Sequence, residues 1–74
     1  MKVTKGQKVR VVCQRKGVYL AEATADFDTD TDEWYEVKVD QDRPIDGLNN
    51  TWYKGDDIPC RRGVATIYII GVGE

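Results

Sequence analysis

Apolar residues in this chain recur at every second position, in short pieces cut by glycine, proline and acidic residues, and that period limits the fold more than any other feature. Residues 7–14 set Val9, Val11 and Cys13 on one side and Lys8, Arg10 and Gln14 on the other, which predicts a half-buried strand. After the turn signal Lys16-Gly17, the run from Val18 to Asp28 groups Tyr19, Ala21, Ala23, Ala25 and Phe27 opposite Leu20, Glu22, Thr24 and Asp26. Pattern outweighs the weak strand preference of alanine there, since a helix over Val18 to Ala25 would be short and uncapped. Asp28 to Asp32 reads as a loop, because its carboxylates repel one another across a ladder. Glu33 to Asp40 alternates again, with Tyr35, Val37 and Val39 inward and Trp34, Glu36 and Lys38 outward, closing a hairpin with the preceding strand.

Residues 41–57 carry Pro44, Asp46-Gly47, Asn49-Asn50 and Lys54-Gly55-Asp56, leaving room for one short strand around Thr51 to Tyr53. Ile58 to Arg61 predicts a strand and Arg62-Gly63 a turn. Val64 to Ile70, rich in β-branched residues, is expected to be the most buried strand, with Gly71 and Gly73 in a loose tail. Five or six short antiparallel strands without a three-turn helix describe an all-β fold. With 74 residues the chain makes one domain, and a single sheet curled into a small barrel is expected because closure hides its edges. The opening Lys5-Gly6-Gln7-Lys8-Val9-Arg10-Val11, the strand through Ala25, the acidic loop and the strand Tyr35 to Val39 resemble the start of a Src-homology-3-like barrel. The resemblance covers roughly the first 40 residues and implies architecture only.

Composition removes several functions. The sequence contains neither histidine nor serine, so serine-triad hydrolysis and histidine-based metal chemistry are excluded. Cys13 and Cys60 are not in the spacing of a redox motif and read as small buried apolar groups. No enzyme activity and no cofactor are expected, because the remaining nucleophiles lack an activating neighbour in sequence. No apolar run is long enough to span a bilayer, and the opening Met-Lys-Val-Thr-Lys-Gly lacks the core of a secretion signal, so a cytoplasmic protein without a membrane partner is expected. Eleven basic against 13 acidic side chains give a formal net charge of -2, but residues 1–16 hold six cations and no acid, while residues 22–46 hold ten acids. Pairing between these two stretches is the expected use of the segregation.

Three binding readings follow. The first is a non-enzymatic module that contacts another protein through exposed aromatic and basic residues. Neighbours in a strand face opposite ways, so Trp34-Tyr35 and Trp52-Tyr53 each present one ring outward. Trp34, Lys38, Trp52, Arg61 and Arg62 are the candidate partner-binding residues, on outer strand faces or a turn tip. The competing expectation for Trp34 or Trp52 is that it caps the barrel beneath residues 41–57. In the second reading Arg61 and Arg62, with Arg10, Arg15, Lys16, Lys54 and an outward indole, hold single-stranded nucleic acid. The third is a weak calcium loop from Asp26 to Glu33. An EF-hand count from Asp26 puts Thr31 at the glycine position and Val37 at the glutamate position, and a count from Asp28 puts Glu33 and Val39 there. A terminal strand left uncovered would pair with its twin, so a monomer or a weak homodimer is expected.

Overall fold

The computed structural model describes residues 1–47 and 49–70, so the expected glycine tail at Gly71 and Gly73 lies outside the described residues. Nine strands and no helix occur among them: β1 (Lys2–Val3), β2 (Lys8–Cys13), β3 (Gly17–Ala23), β4 (Phe27–Asp28), β5 (Trp34–Val39), β6 (Ile45–Asp46), β7 (Thr51–Trp52), β8 (Asp57–Arg61) and β9 (Ala65–Ile69). The protein is therefore all-β. Five strands form one antiparallel sheet in the order β8-β5-β3-β2-β9, and the pairs β1-β4 and β6-β7 make two short ladders beside it.

The period-two pattern decides which side of the sheet is core. Val9, Val11 and Cys13 of β2, Tyr19, Ala21 and Ala23 of β3, and Tyr35, Val37 and Val39 of β5 are all buried. Ile58 and Cys60 of β8 and Ala65 and Ile67 of β9 complete the lining, with Val3, Phe27 and Ile45 from the short strands. Among the described residues no charged or polar residue is buried beside them. Phe27 stacks on Tyr35 with ring centroids 4.9 Å apart, a pairing that adds roughly 0.5–1.5 kcal/mol beyond its area.

Connectivity forces this sheet to curl. The edge strands β8 and β9 are consecutive in sequence, separated only by residues 62–64. A flat five-stranded sheet would hold its edges about 19 Å apart, whereas the chain from Arg61 to Ala65 reaches at most ~14 Å. The sheet must bend to bring its edges together. Gly63, at φ 90°, supplies the left-handed residue that the sharp corner requires. Val64 N–H donates to the Arg61 carbonyl at 3.1 Å, and a single bridge joins Arg62 to Ala65. No ladder joins β8 to β9, so the sheet is curled but not closed into a barrel by hydrogen bonds. The radius of gyration of 11.4 Å matches the ~11 Å of a compact domain this long.

Three expectations about elements are corrected. The run from Val18 to Asp28 is not one strand: it breaks at residues 24–26, and Phe27 and Asp28 leave the main sheet to pair with Val3 and Lys2. The one short strand expected around Thr51 to Tyr53 is Thr51–Trp52 and is not alone in residues 41–57: Ile45–Asp46 pairs with it in a small hairpin that buries Ile45. The strand β9 is not the most buried. Ala65 and Ile67 face the core but Thr66 and Tyr68 are exposed, because only one face of the sheet is covered and every strand in it, β2 included, buries alternate residues.

Candidate binding surfaces

The two outward positions of β2 and β3 nearest their shared turn, and their counterparts on β9, build an exposed apolar patch. Register places Leu20, Arg10 and Tyr68 in one cross-strand row, and Val18, Val12 and Thr66 in the next. Val12, Val18, Leu20 and Tyr68 are between 37% and 62% exposed, which makes this a contiguous surface and not scattered single residues. Arg10 sits at its centre with the guanidinium over the Tyr68 ring, 5.0 Å from the centroid. No carboxylate pairs with Arg10 among the described residues. Farther along the same face Lys8 is held by Glu22 at 2.6 Å and Asp40 at 2.8 Å, while Lys38 reaches Glu22 at 3.5 Å. Apolar surface is thus bordered by a closed ion-pair network.

A second surface lies where the β2-β3 turn meets the β8-β9 corner. Arg15, Lys16, Trp34, Pro59, Arg61 and Val64 line a cleft of about 230 Å³, whose floor is Cys13, Tyr19 and Cys60. An adjoining cleft of about 170 Å³ shares Arg15 and Lys16 and adds Gly47, Asn49, Asn50 and Trp52. Gly17, at φ 79°, turns the chain so that Arg15 and Lys16 stand between the two. The Arg61 guanidinium and the Lys16 ammonium each lie 5.7 Å from the centroid of an indole, Trp34 and Trp52 respectively. Gly47 packs close to Trp52: a Cβ there would come within 3.1 Å of the Asn50 carbonyl oxygen and 3.3 Å of the indole nitrogen.

The floor of the larger cleft is chemically quiet. The Tyr19 hydroxyl and Cys60 Sγ lie 3.3 Å apart in a buried hydrogen bond. Burial pushes the Cys60 thiol up, against the opposing pull of the Tyr19 hydroxyl, and burial also raises Tyr19. Both groups stay protonated at neutral pH. A thiol in that form packs as a small hydrophobe.

The five residues anticipated from sequence divide between these surfaces and neither. Trp34 is 53% exposed and meets Arg61 directly across β5 and β8, so this pair is brought together as a cation and an aromatic ring. Arg61 is also shared with Glu33, 3.0 Å away. Trp52 is a correction in part: it is half-buried and packed against the core, leaving only part of its ring for contact. Lys38 faces outward but at the far end of β5, tied into the Glu22 network. Arg62 donates to the Asp30 carbonyl at 2.8 Å, so the corner arginine braces the acidic loop. The patch residues Val12, Val18, Leu20 and Tyr68 were missed as candidates. The available signal was the apolar residue at an outward position of each strand.

The acidic loop is organised by its own backbone. Asp28 Oδ1 accepts from the Asp30 amide at 2.9 Å, Asp32 Oδ2 from the Asp28 amide at 2.8 Å, and Asp26 Oδ1 from the Lys5 amide at 2.7 Å. The amino group of Met1 lies 2.6 Å from Asp30. Among the described residues no three Cys, Asp or Glu side chains come together as a metal site. No helix among them is long and apolar enough to cross a membrane. No family model, curated protein or solved structure matches the chain.

Proposed function

We propose that this protein is a non-enzymatic binding module that docks on another protein through the outer face of β3, β2 and β9. One observation carries the reading: Val12, Val18, Leu20 and Tyr68 form a contiguous apolar patch around an arginine with no carboxylate partner among the described residues. Tyrosine and arginine are the residue types that dominate binding hot spots, and a ring held by a guanidinium loses little freedom on contact. The partner fitted to this face presents apolar side chains and one carboxylate for Arg10. The architecture that supports the patch is read as an incompletely closed Src-homology-3-like barrel, on the strength of the edge strands joined by a three-residue corner. Two free, buried thiols suit a reducing, cytoplasmic setting.

The test is affinity capture from the native host with wild type, Leu20→Glu and Trp34→Ala, accompanied by sedimentation of the purified proteins. The specific partner is expected to be lost with Leu20→Glu and kept with Trp34→Ala. Equal recovery with Leu20→Glu rejects the face. A concentration-dependent dimer that disappears in Leu20→Glu identifies the occupant as a second copy and rejects a foreign protein.

A further inference from the structure

We propose that the end of the molecule between the β2-β3 turn and the β8-β9 corner binds single-stranded nucleic acid, with one base against Trp34, a second against Trp52 and phosphates at Arg15 and Lys16. This site is separate from the docking face, so either can fail without the other.

The charge pattern comes first. Three cations, Arg15, Lys16 and Arg61, line the two adjoining clefts, and no carboxylate lines either one among the described residues. Glu33 offsets Arg61 from outside the cleft. Arg15 and Lys16 have no acidic partner among the described ion pairs. In a chain whose net charge is -2, clefts lined by three cations and no acid attract an anion.

Shape then selects the class of anion. At about 230 Å³ and about 170 Å³, each cleft is smaller than the ~300 Å³ at which pockets begin to enclose a whole drug-sized ligand. Each suits one flat ring or one anionic group. Two such clefts, each walled by an indole and sharing the cations between them, match a polymer that alternates rings with negative charges. Single-stranded nucleic acid is that polymer, and stacking of a base on an aromatic side chain contributes about 1–3 kcal/mol without regard to sequence. An acidic peptide supplies the charges but no regular rings. Trp34 carries more of the stacking than Trp52, since it is the more exposed indole.

The experiment is fluorescence anisotropy of a fluorescein-labelled oligothymidylate titrated with the whole protein at about 50 mM and about 200 mM salt, with polyglutamate and tripolyphosphate as competitors. Neutralising the two phosphates at Arg15 and Lys16 on a single strand gives a salt slope of about -1.4, so this rise in salt is expected to weaken binding about 7-fold. Trp34→Ala and the double substitution Arg15→Gln with Lys16→Gln are each expected to weaken it at least ~10-fold. All three positions are at least partly exposed, and unchanged thermal melting of the variants shows that fold is not the cause. Leu20→Glu is expected to bind as wild type. No binding at low salt overturns the proposal. So does wild-type affinity in Trp34→Ala, which leaves charge alone, and so does displacement by polyglutamate at the concentration at which oligothymidylate competes, which assigns the clefts to an acidic peptide.

Discussion

At the scale of single residues, Tyr19 shows how a polar atom is tolerated in a core this small. Its ring fills the interior from β3 and its hydroxyl reaches Cys60 Sγ, so no buried side-chain polar atom is left without a partner among the described residues. Removing only the hydroxyl tests that arrangement. Tyr19→Phe is expected to lower unfolding free energy by about 1 kcal/mol, the net worth of a typical buried hydrogen bond, read from the urea midpoint. An unchanged midpoint would show that Cys60 packs equally well without it. Sequence alone read Cys13 and Cys60 as small buried apolar groups, because they lack the spacing of a redox motif, and both are buried. It did not join Cys60 to Tyr19, 41 residues away, since alternation assigns a face but no neighbour across it.

At the scale of elements, the alanines of β3 acquire a physical reason. Ala21 faces inward on the middle strand of the curled sheet, opposite Val9 on one side and Val39 on the other. Small side chains belong where the concave face has least room, which is why β3 forms against its intrinsic preference. Ala21→Leu is expected to cost about 1–3 kcal/mol through overpacking, measured by denaturant unfolding. A neutral result would mean that the curl has spare volume. Pro59 has a similar local reason. The bonds Arg62 N–H to Glu33 and Val39 N–H to Asp56 set the ladder so that Pro59, opposite Glu36, turns its nitrogen away from β5. A residue without an N–H is acceptable only on such an edge, and it blunts that edge against pairing with another chain. The main strands were legible because period two survives in β2, β3, β5 and β8. The β1-β4 and β6-β7 ladders were not, because two residues per strand are too few to show a period.

At the scale of the whole molecule, charge segregation along the sequence becomes pairing across the sheet. Lys8 from the basic amino-terminal stretch meets Glu22 and Asp40 from the acidic one. The Lys8 ammonium is the largest cause holding both carboxyls below their ordinary values, and Asp40 and then Glu22 raise Lys8. Depressed carboxyls stabilise the fold above their unfolded values near pH ~4, and that contribution is lost as pH falls through the lower folded values. The raised lysine stabilises below its unfolded value near pH ~10.4 and loses its contribution as pH climbs through the folded value. Lys8→Met is therefore expected to flatten both shoulders of a plot of urea midpoint against pH. Identical shoulders in the variant would assign the pH response to other groups. Self-pairing was readable from the sequence, and so was a cationic group that includes Arg15, Lys16 and Arg61, but the clefts that join them were not, since they depend on a turn at residues 15–16 meeting a corner at residues 62–64. That corner has a mechanical consequence. It works as a clasp on an open band, and residues spliced in after Gly63 would give slack that lets the band spring wider and wets its inner wall, whereas the same splice between Arg15 and Lys16 would leave the band's girth as it is and disturb only the cations at that turn.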